Sequence, residues 1–325
     1  MHIEIVTPAP PRSHNGNRIT AERWAVLLGE LGHSVAITSS WSGLPSDLLV
    51  ALHARRSAEA VRAFTGAHPD RPVVVALTGT DLYQDLAGSL DAQQTVASAT
   101  ALVVLQEMAL DVLPPPLHAR THCIHQSVTV PARRRPRGQD FEVAFLAHMR
   151  AVKDPFLVVD ALRLLPASSR VRVTHVGAPL DPGTEERAAQ EAAQNPRYRW
   201  LGDVPRTQAL QLLADSDLLV MTSRLEGGAN VASEAIAAGV PVVCTRIDGS
   251  VGLLGPDYPG YFEVGNAPEL ARLFEQAASD GDFLAELTRG ITARQRLVEP
   301  HRERQAWADL LAAVVGPCAD DGVLG

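Results

Sequence analysis

The sequence predicts an α/β chain of two similar doubly wound halves, each built on a parallel sheet. Three observations carry that prediction. Short apolar runs rich in Val, Ile and Leu alternate with helical patterns along most of the 325 residues. The runs are continuously apolar, as expected of strands covered on both faces. The alternation is interrupted once, by a Pro- and Arg-containing stretch near the middle, and then resumes.

In the first half, strands are expected at His2–Thr7, Ser34–Thr38, Asp47–Leu52, Pro72–Leu77, Ala101–Leu105 and His122–Gln126. Between the first two, Trp24, Leu27, Leu28 and Leu31 fall at i, i+3, i+4 and i+7 of one helix face, and Gly32 ends the helix. Val130–Gly138, with Arg133, Arg134, Arg135 and Arg137, reads as a solvated hinge, with an anion patch as the alternative. The second series runs Glu142–Ala147, Arg172–Val176, Arg199–Leu201, Leu218–Thr222, Val240–Thr245 and Tyr261–Glu263. A last helix, Arg302–Val315, aligns Trp307, Leu310, Leu311 and Val314. The expected domains are residues 1–132 and 133–301, with ligands at the carboxyl ends of the strands.

Composition removes several classes of function. A hydrophobic fraction of 46% is enough for real cores. A net charge of −8 without a long basic face argues against nucleic acid as a partner. No apolar run approaches the roughly 18–20 residues that span a bilayer, and Met1–Val6 reads directly into a strand, so a cytoplasmic protein is expected. Cys123, Cys244 and Cys318 show no metal spacing, so no metal is expected. Lys153 is the only lysine among 29 basic residues, which suggests a task for a compact ammonium.

The strongest chemical signal is Ser223–Glu234, a glycine turn opening a helix between two strands. Glu226 precedes the helix and Glu234 lies two turns inside it, separated by roughly 12 Å at 1.5 Å per residue. Gly227 and Gly228 allow a ligand to approach the backbone, and the helix start suits a phosphate. This stretch resembles the E-x7-E motif of retaining glycosyltransferases of the GT-B fold, family 4 class, and Ala237-Ala238-Gly239-Val240-Pro241-Val242-Val243 matches as well. The resemblance implies two Rossmann-like domains facing a central cleft, with a C-terminal helix (about 302–325) packing back on the first. It also implies Glu226 for the donor sugar, Gly228, Ala229 and Asn230 for phosphate and sugar, and Glu234 for ribose.

After the first strand of the second half comes His148-Met149-Arg150-Ala151-Val152-Lys153. Family members carry an arginine and a lysine here that neutralise the leaving diphosphate. Lys153 matches the lysine. His148 stands at the arginine's place and Arg150 two residues on, leaving the second cation to either, with Arg150 favoured because it is always charged. Gly177 ends its strand and is expected to line the donor pocket, while Gly202 and Val204 follow another strand where the family contacts uracil through backbone, Gly202 reading equally as a simple turn.

In the first half, Asn15, Gly16, Asn17 and Arg18 open a helix and read equally as an anion site and as an ordinary loop. Thr78, Thr80 and Asp81 stand where the family has His-Gly-x-Asp, with Thr78 replacing the histidine, and read either as site residues or as strand-end caps. An acceptor that is already anionic needs no general base. Gln126 and Ser127, and His53, Arg55 and Arg56, are weaker candidates at strand ends.

These departures together look like the selenosugar synthases of selenoneine biosynthesis. That similarity implies transfer of a sugar, typically N-acetylglucosamine, from a UDP-sugar to selenophosphate, without cofactor or metal, by a monomer or homodimer. The alternatives are a conventional retaining transferase acting on a hydroxyl and a catalytically silent nucleotide-sugar-binding protein.

Overall fold

The computed structural model describes residues 1–13, 15–136 and 138–315. His14, Arg137, Cys318 and the last part of the expected C-terminal helix lie outside the described residues. The chain divides into two compact units, Met1–His125 with the segment from Pro300 onward, and Gln126–Glu299.

The first unit holds a six-stranded parallel sheet: β1 (His2–Val6), β2 (Ser34–Thr38), β3 (Leu48–Leu52), β4 (Val73–Ala76), β5 (Ala101–Val104) and β6 (Thr121–Cys123), in the order β2-β1-β3-β4-β5-β6. Alternation along each strand sends side chains to opposite faces. Ile3, Ile5, Val50 and Val74 pack with Trp24 and Leu28 on one face, while Val6, Leu49, Ala51 and Val75 pack with Phe64 on the other. The helix Gly16–Glu30 ends as the sequence predicts, with Gly32 at a φ of 85° after the Leu31 cap. Helix Pro300–Val315 belongs to this unit: the Trp307 ring meets Trp24 edge-on at 4.8 Å, and Glu303 accepts from Trp24 Nε1 at 2.7 Å.

The second unit repeats the plan with β7 (Phe141–Leu146), β8 (Val171–Val176), β9 (Tyr198–Trp200), β10 (Leu218–Met221), β11 (Val242–Thr245) and β12 (Tyr261–Phe262), in the order β12-β11-β10-β7-β8-β9. The chain starts in the middle, winds outward through β8 and β9, then returns to the other side of β7 with β10. The neighbouring pair β7 and β10 is therefore the topological switch point, where loops diverge and leave room for a ligand.

The basic segment is exposed to solvent, as expected, but it is tethered rather than a free hinge. The Arg133 guanidinium donates to Ser216 O at 2.7 Å and pairs with Asp217 at 3.0 Å, and the backbone amides of Arg134 and Arg135 both donate to Asp215 Oδ1. Acidic groups at the end of helix Arg206–Asp215 and just beyond hold the run against the second unit. The division of the chain accordingly falls before it, at Gln126, rather than at residue 133.

Candidate active site

The switch point brings together the two strongest segments of the sequence. The loop leaving β7 ends in a 3-10 turn, Ala151–Lys153, followed by Asp154 at a positive φ of 44°. The loop leaving β10 runs alongside it: Thr222 Oγ1 donates to Lys153 O at 2.7 Å, and Arg224 N donates to Val152 O at 2.8 Å. This backbone stitching puts the Lys153 ammonium on the Glu226 carboxylate as an ion pair, with the two side chains 21% and 11% exposed. Ser223 Oγ donates to the same Glu226 oxygen at 2.6 Å. An ammonium carries three donors, and a single carboxylate oxygen does not use them all.

Glycines shape this site by what they lack. A Cβ on Gly249 would stand 2.3 Å from Glu226 O, so the chain after β11 packs directly under the Glu226 backbone. A Cβ on Gly177 would stand 1.9 Å from Ala147 O, so its bareness lets the β8 loop close on the β7 loop. Gly202, at a φ of 71°, accepts from Gly177 N at 2.9 Å and continues that packing. Gly227 and Gly228 are not among the residues of positive φ.

Helix Asn230–Ala238 starts after Ala229, whose methyl group cannot cap it, and carries Glu234. Glu234 is 7% exposed at its side chain and pairs with Arg206, the first residue of helix Arg206–Asp215. Arg206 escaped sequence reading. The available signal was Pro205, a helix-start residue just past β9, which sets the next side chain at the carboxyl edge of the sheet. Val204 lies half-buried just before it.

The two candidates for a second cation differ in their hydrogen bonds. His148 Nδ1 accepts from Ala178 N at 3.0 Å, a bond that a doubly protonated ring would lose. Arg150 is half-buried, and its Nε is buried without a hydrogen-bond partner. Behind this loop, His175 Nε2–H donates to Ala147 O at 2.8 Å while Nδ1 accepts from Tyr198 OH at 2.6 Å. Burial pushes His175 down to about 4, so it is a neutral strut.

The first unit treats its predicted residues differently. Asp81 is fully buried, with one oxygen accepting from Thr78 N at 2.9 Å and Gly79 N at 2.8 Å and the other from Ala54 N at 2.9 Å. It clamps the ends of β3 and β4 and has no exposed surface for an acceptor, which corrects its placement among acceptor contacts. Thr80 Oγ1 sits 3.0 Å from Nε2 of His53, a buried residue at a φ of 73° whose pKa burial lowers. Asn15 is the N-cap of the first helix, accepting from Arg18 N at 3.4 Å, and Arg18 pairs with Glu22 at 2.7 Å. Gly16 is exposed, Asn17 and Thr78 are half-buried, and Gln126 is buried and belongs to the second unit.

Comparison with known proteins agrees with the geometry. The family model for glycosyl transferases group 1 matches residues 130–295. Glycogen synthase of Mycobacterium tuberculosis is 34% identical over 125 residues, covering 36% of this chain and 29% of that protein. D-inositol 3-phosphate glycosyltransferase of Corynebacterium urealyticum is 28% identical over 149 residues, 43% of this chain and 35% of that protein. The chain thus spans about a third of the length of these curated relatives. Among solved structures, Anabaena HepE in complex with UDP and glucose superposes with a TM-score of 0.76 at 18% identity, covering 96% of this chain and 100% of that one. The fold is GT-B. No helix among the described residues is long and apolar enough to cross a membrane.

Proposed function

The chain belongs to the glycosyl transferases group 1 family, and on that premise we propose that it transfers a sugar, N-acetylglucosamine or a near relative, from a UDP-sugar to selenophosphate. The observation that carries the donor half is the Lys153–Glu226 ion pair at the switch point of the second sheet. Glu226 takes the sugar hydroxyls and Glu234, released from or shared with Arg206, takes the ribose. Lys153, Arg150 and the amides at the start of helix Asn230–Ala238 take the diphosphate.

In this reading the bond from the anomeric carbon to the UDP oxygen breaks, and UDP leaves with the electron pair. Charge grows on the diphosphate, where fixed cations act most strongly. The anionic selenium of selenophosphate forms the new bond to carbon. Water then cleaves the selenium–phosphorus bond, leaving a selenol on the sugar and free phosphate. No step calls for a metal. The acceptor half rests on the sequence resemblance and on Thr78, which stands where a base would otherwise be.

A second reading, transfer to a hydroxyl, is favoured by the likeness to D-inositol 3-phosphate glycosyltransferase, whose name states a polyol acceptor. One assay separates the readings: UDP-sugar is incubated with and without selenophosphate, UDP release is followed, and products are identified by mass spectrometry. A selenium-containing sugar is the expected product. UDP release that ignores selenophosphate moves the reading to the hydroxyl acceptor. Tight UDP binding without release with any sugar leaves only a nucleotide-sugar-binding protein.

A further inference from the structure

The carboxyl edge of the first sheet carries a cluster that the transfer reading does not use. Strand β6 ends at Cys123, and His125, two residues further on, brings its imidazole beside the Cys123 thiol. The turn after β5 brings Glu107 to the same place. Cys123 Sγ lies 4.0 Å from His125 Nε2, which lies 3.3 Å from Glu107 Oε2, and all three atoms fall within 4.8 Å of one another.

From this juxtaposition we propose that Glu107, Cys123 and His125 bind a zinc-class divalent cation as three protein ligands with a fourth position open to solvent. Zinc bonds of about 2.0–2.3 Å to nitrogen, oxygen and sulfur put tetrahedral ligands roughly 3.4–3.6 Å apart. The His125–Glu107 spacing already fits, the Cys123–His125 spacing must shorten by about 0.5 Å, and the Glu107 side chain is 54% exposed. The same exposure gives an ion a way in. A thiol, an imidazole and one carboxylate suit zinc, whereas magnesium and calcium prefer oxygen ligands.

A surface ion pair between Glu107 and His125 is the simpler account, and it leaves the neighbouring thiol unexplained. Because β6 is the outer strand of its sheet, a bound ion would fasten the turn after β5 to that edge.

The test uses the full chain, stripped with a chelator and titrated with cobalt(II) as a spectroscopic stand-in for zinc. One equivalent is expected to bind, with a thiolate-to-cobalt charge-transfer band that zinc then removes. Cys123→Ser should abolish the band. His125→Ala and Glu107→Gln should weaken zinc binding by more than the ~10–100-fold typical of losing an outer partner. Glu107→Gln, at an exposed position, should melt like the parent chain in chelator, which shows that lost binding is not lost fold. Absence of the band, or a band that survives Cys123→Ser and disappears with Cys318→Ser, overturns the proposal. None of these readouts depends on sugar transfer.

Discussion

Glu226 and Glu234 in the second unit and Asp81 in the first are carboxylates at the carboxyl edge of a sheet that are held in opposite ways. In the second, Lys153 faces Glu226 and Arg206 faces Glu234, each a pair of side chains that a ligand's phosphates and hydroxyls can enter. In the first, the Asp81 carboxylate is filled by three backbone amides and fixes loops rather than offering itself. The difference teaches that a polar residue at a functional edge has to be judged by what already occupies its hydrogen bonds. Side chain paired to side chain is exchangeable; side chain paired to backbone is scaffold, because releasing it leaves buried amides unsatisfied.

That contrast can be broken experimentally, and the largest effect belongs to the second unit. Lys153→Ala should lower turnover by ~10²–10³-fold while leaving the melting temperature nearly unchanged. Near-normal UDP release from this variant would remove the lysine from the chemistry. The converse is expected of Asp81→Ala. It strands three backbone donors in a buried site and should cost about 3 kcal/mol or more of stability, read by chemical denaturation. If the variant instead keeps its stability and loses only acceptor affinity, Asp81 is a contact residue after all.

A third expectation concerns acid. His175 has a pKa of about 4 in the folded chain, against 6.5 when exposed. Between those values the unfolded chain binds the proton and the folded one does not, so stability is lost as pH falls from about 6.5 towards 4. The loss attributable to His175 is about 3 kcal/mol. Denaturation curves across that window should show it, and His175→Gln should flatten the dependence. His53, also lowered by burial, contributes in the same direction from the first unit. The smallest effect is expected of Arg18→Ala, whose i,i+4 pair with Glu22 is worth about 0.3–0.5 kcal/mol. A raised KM for the anionic acceptor, with stability unchanged, would show that the loop binds it.

Much of the fold was legible because its signals are local. Continuous apolar runs mark strands buried on both faces, and all twelve expected strands form with ends shifted by up to two residues, except that the expected His122–Gln126 forms as Thr121–Cys123. The proposed donor cradle was legible in part: Glu226, Glu234 and Lys153 stood out by spacing, by glycine context and by rarity. Arg18 was half-legible, since Glu22 at i+4 already announces its partner. The acidic hold on Arg133–Arg135 was not, because Asp215 and Asp217 lie some eighty residues downstream. Gly249 gave no local signal, because the backbone it packs under belongs to another loop.

The amino-acid order alone determined two wound sheets, their strand content, a carboxylate–glycine–helix segment and a single lysine. Periodicity and turn chemistry act within a few residues, so they survive in a linear reading. Only the tertiary structure decided which charges meet: Lys153 with Glu226, Arg206 with Glu234, Asp81 with the chain's own amides, and Glu107 with Cys123 and His125. Those meetings follow from strand order, since a parallel sheet brings together the ends of strands far apart in sequence. An electrostatic or coordinating contact acts over a few ångströms, whatever the length of chain between its partners.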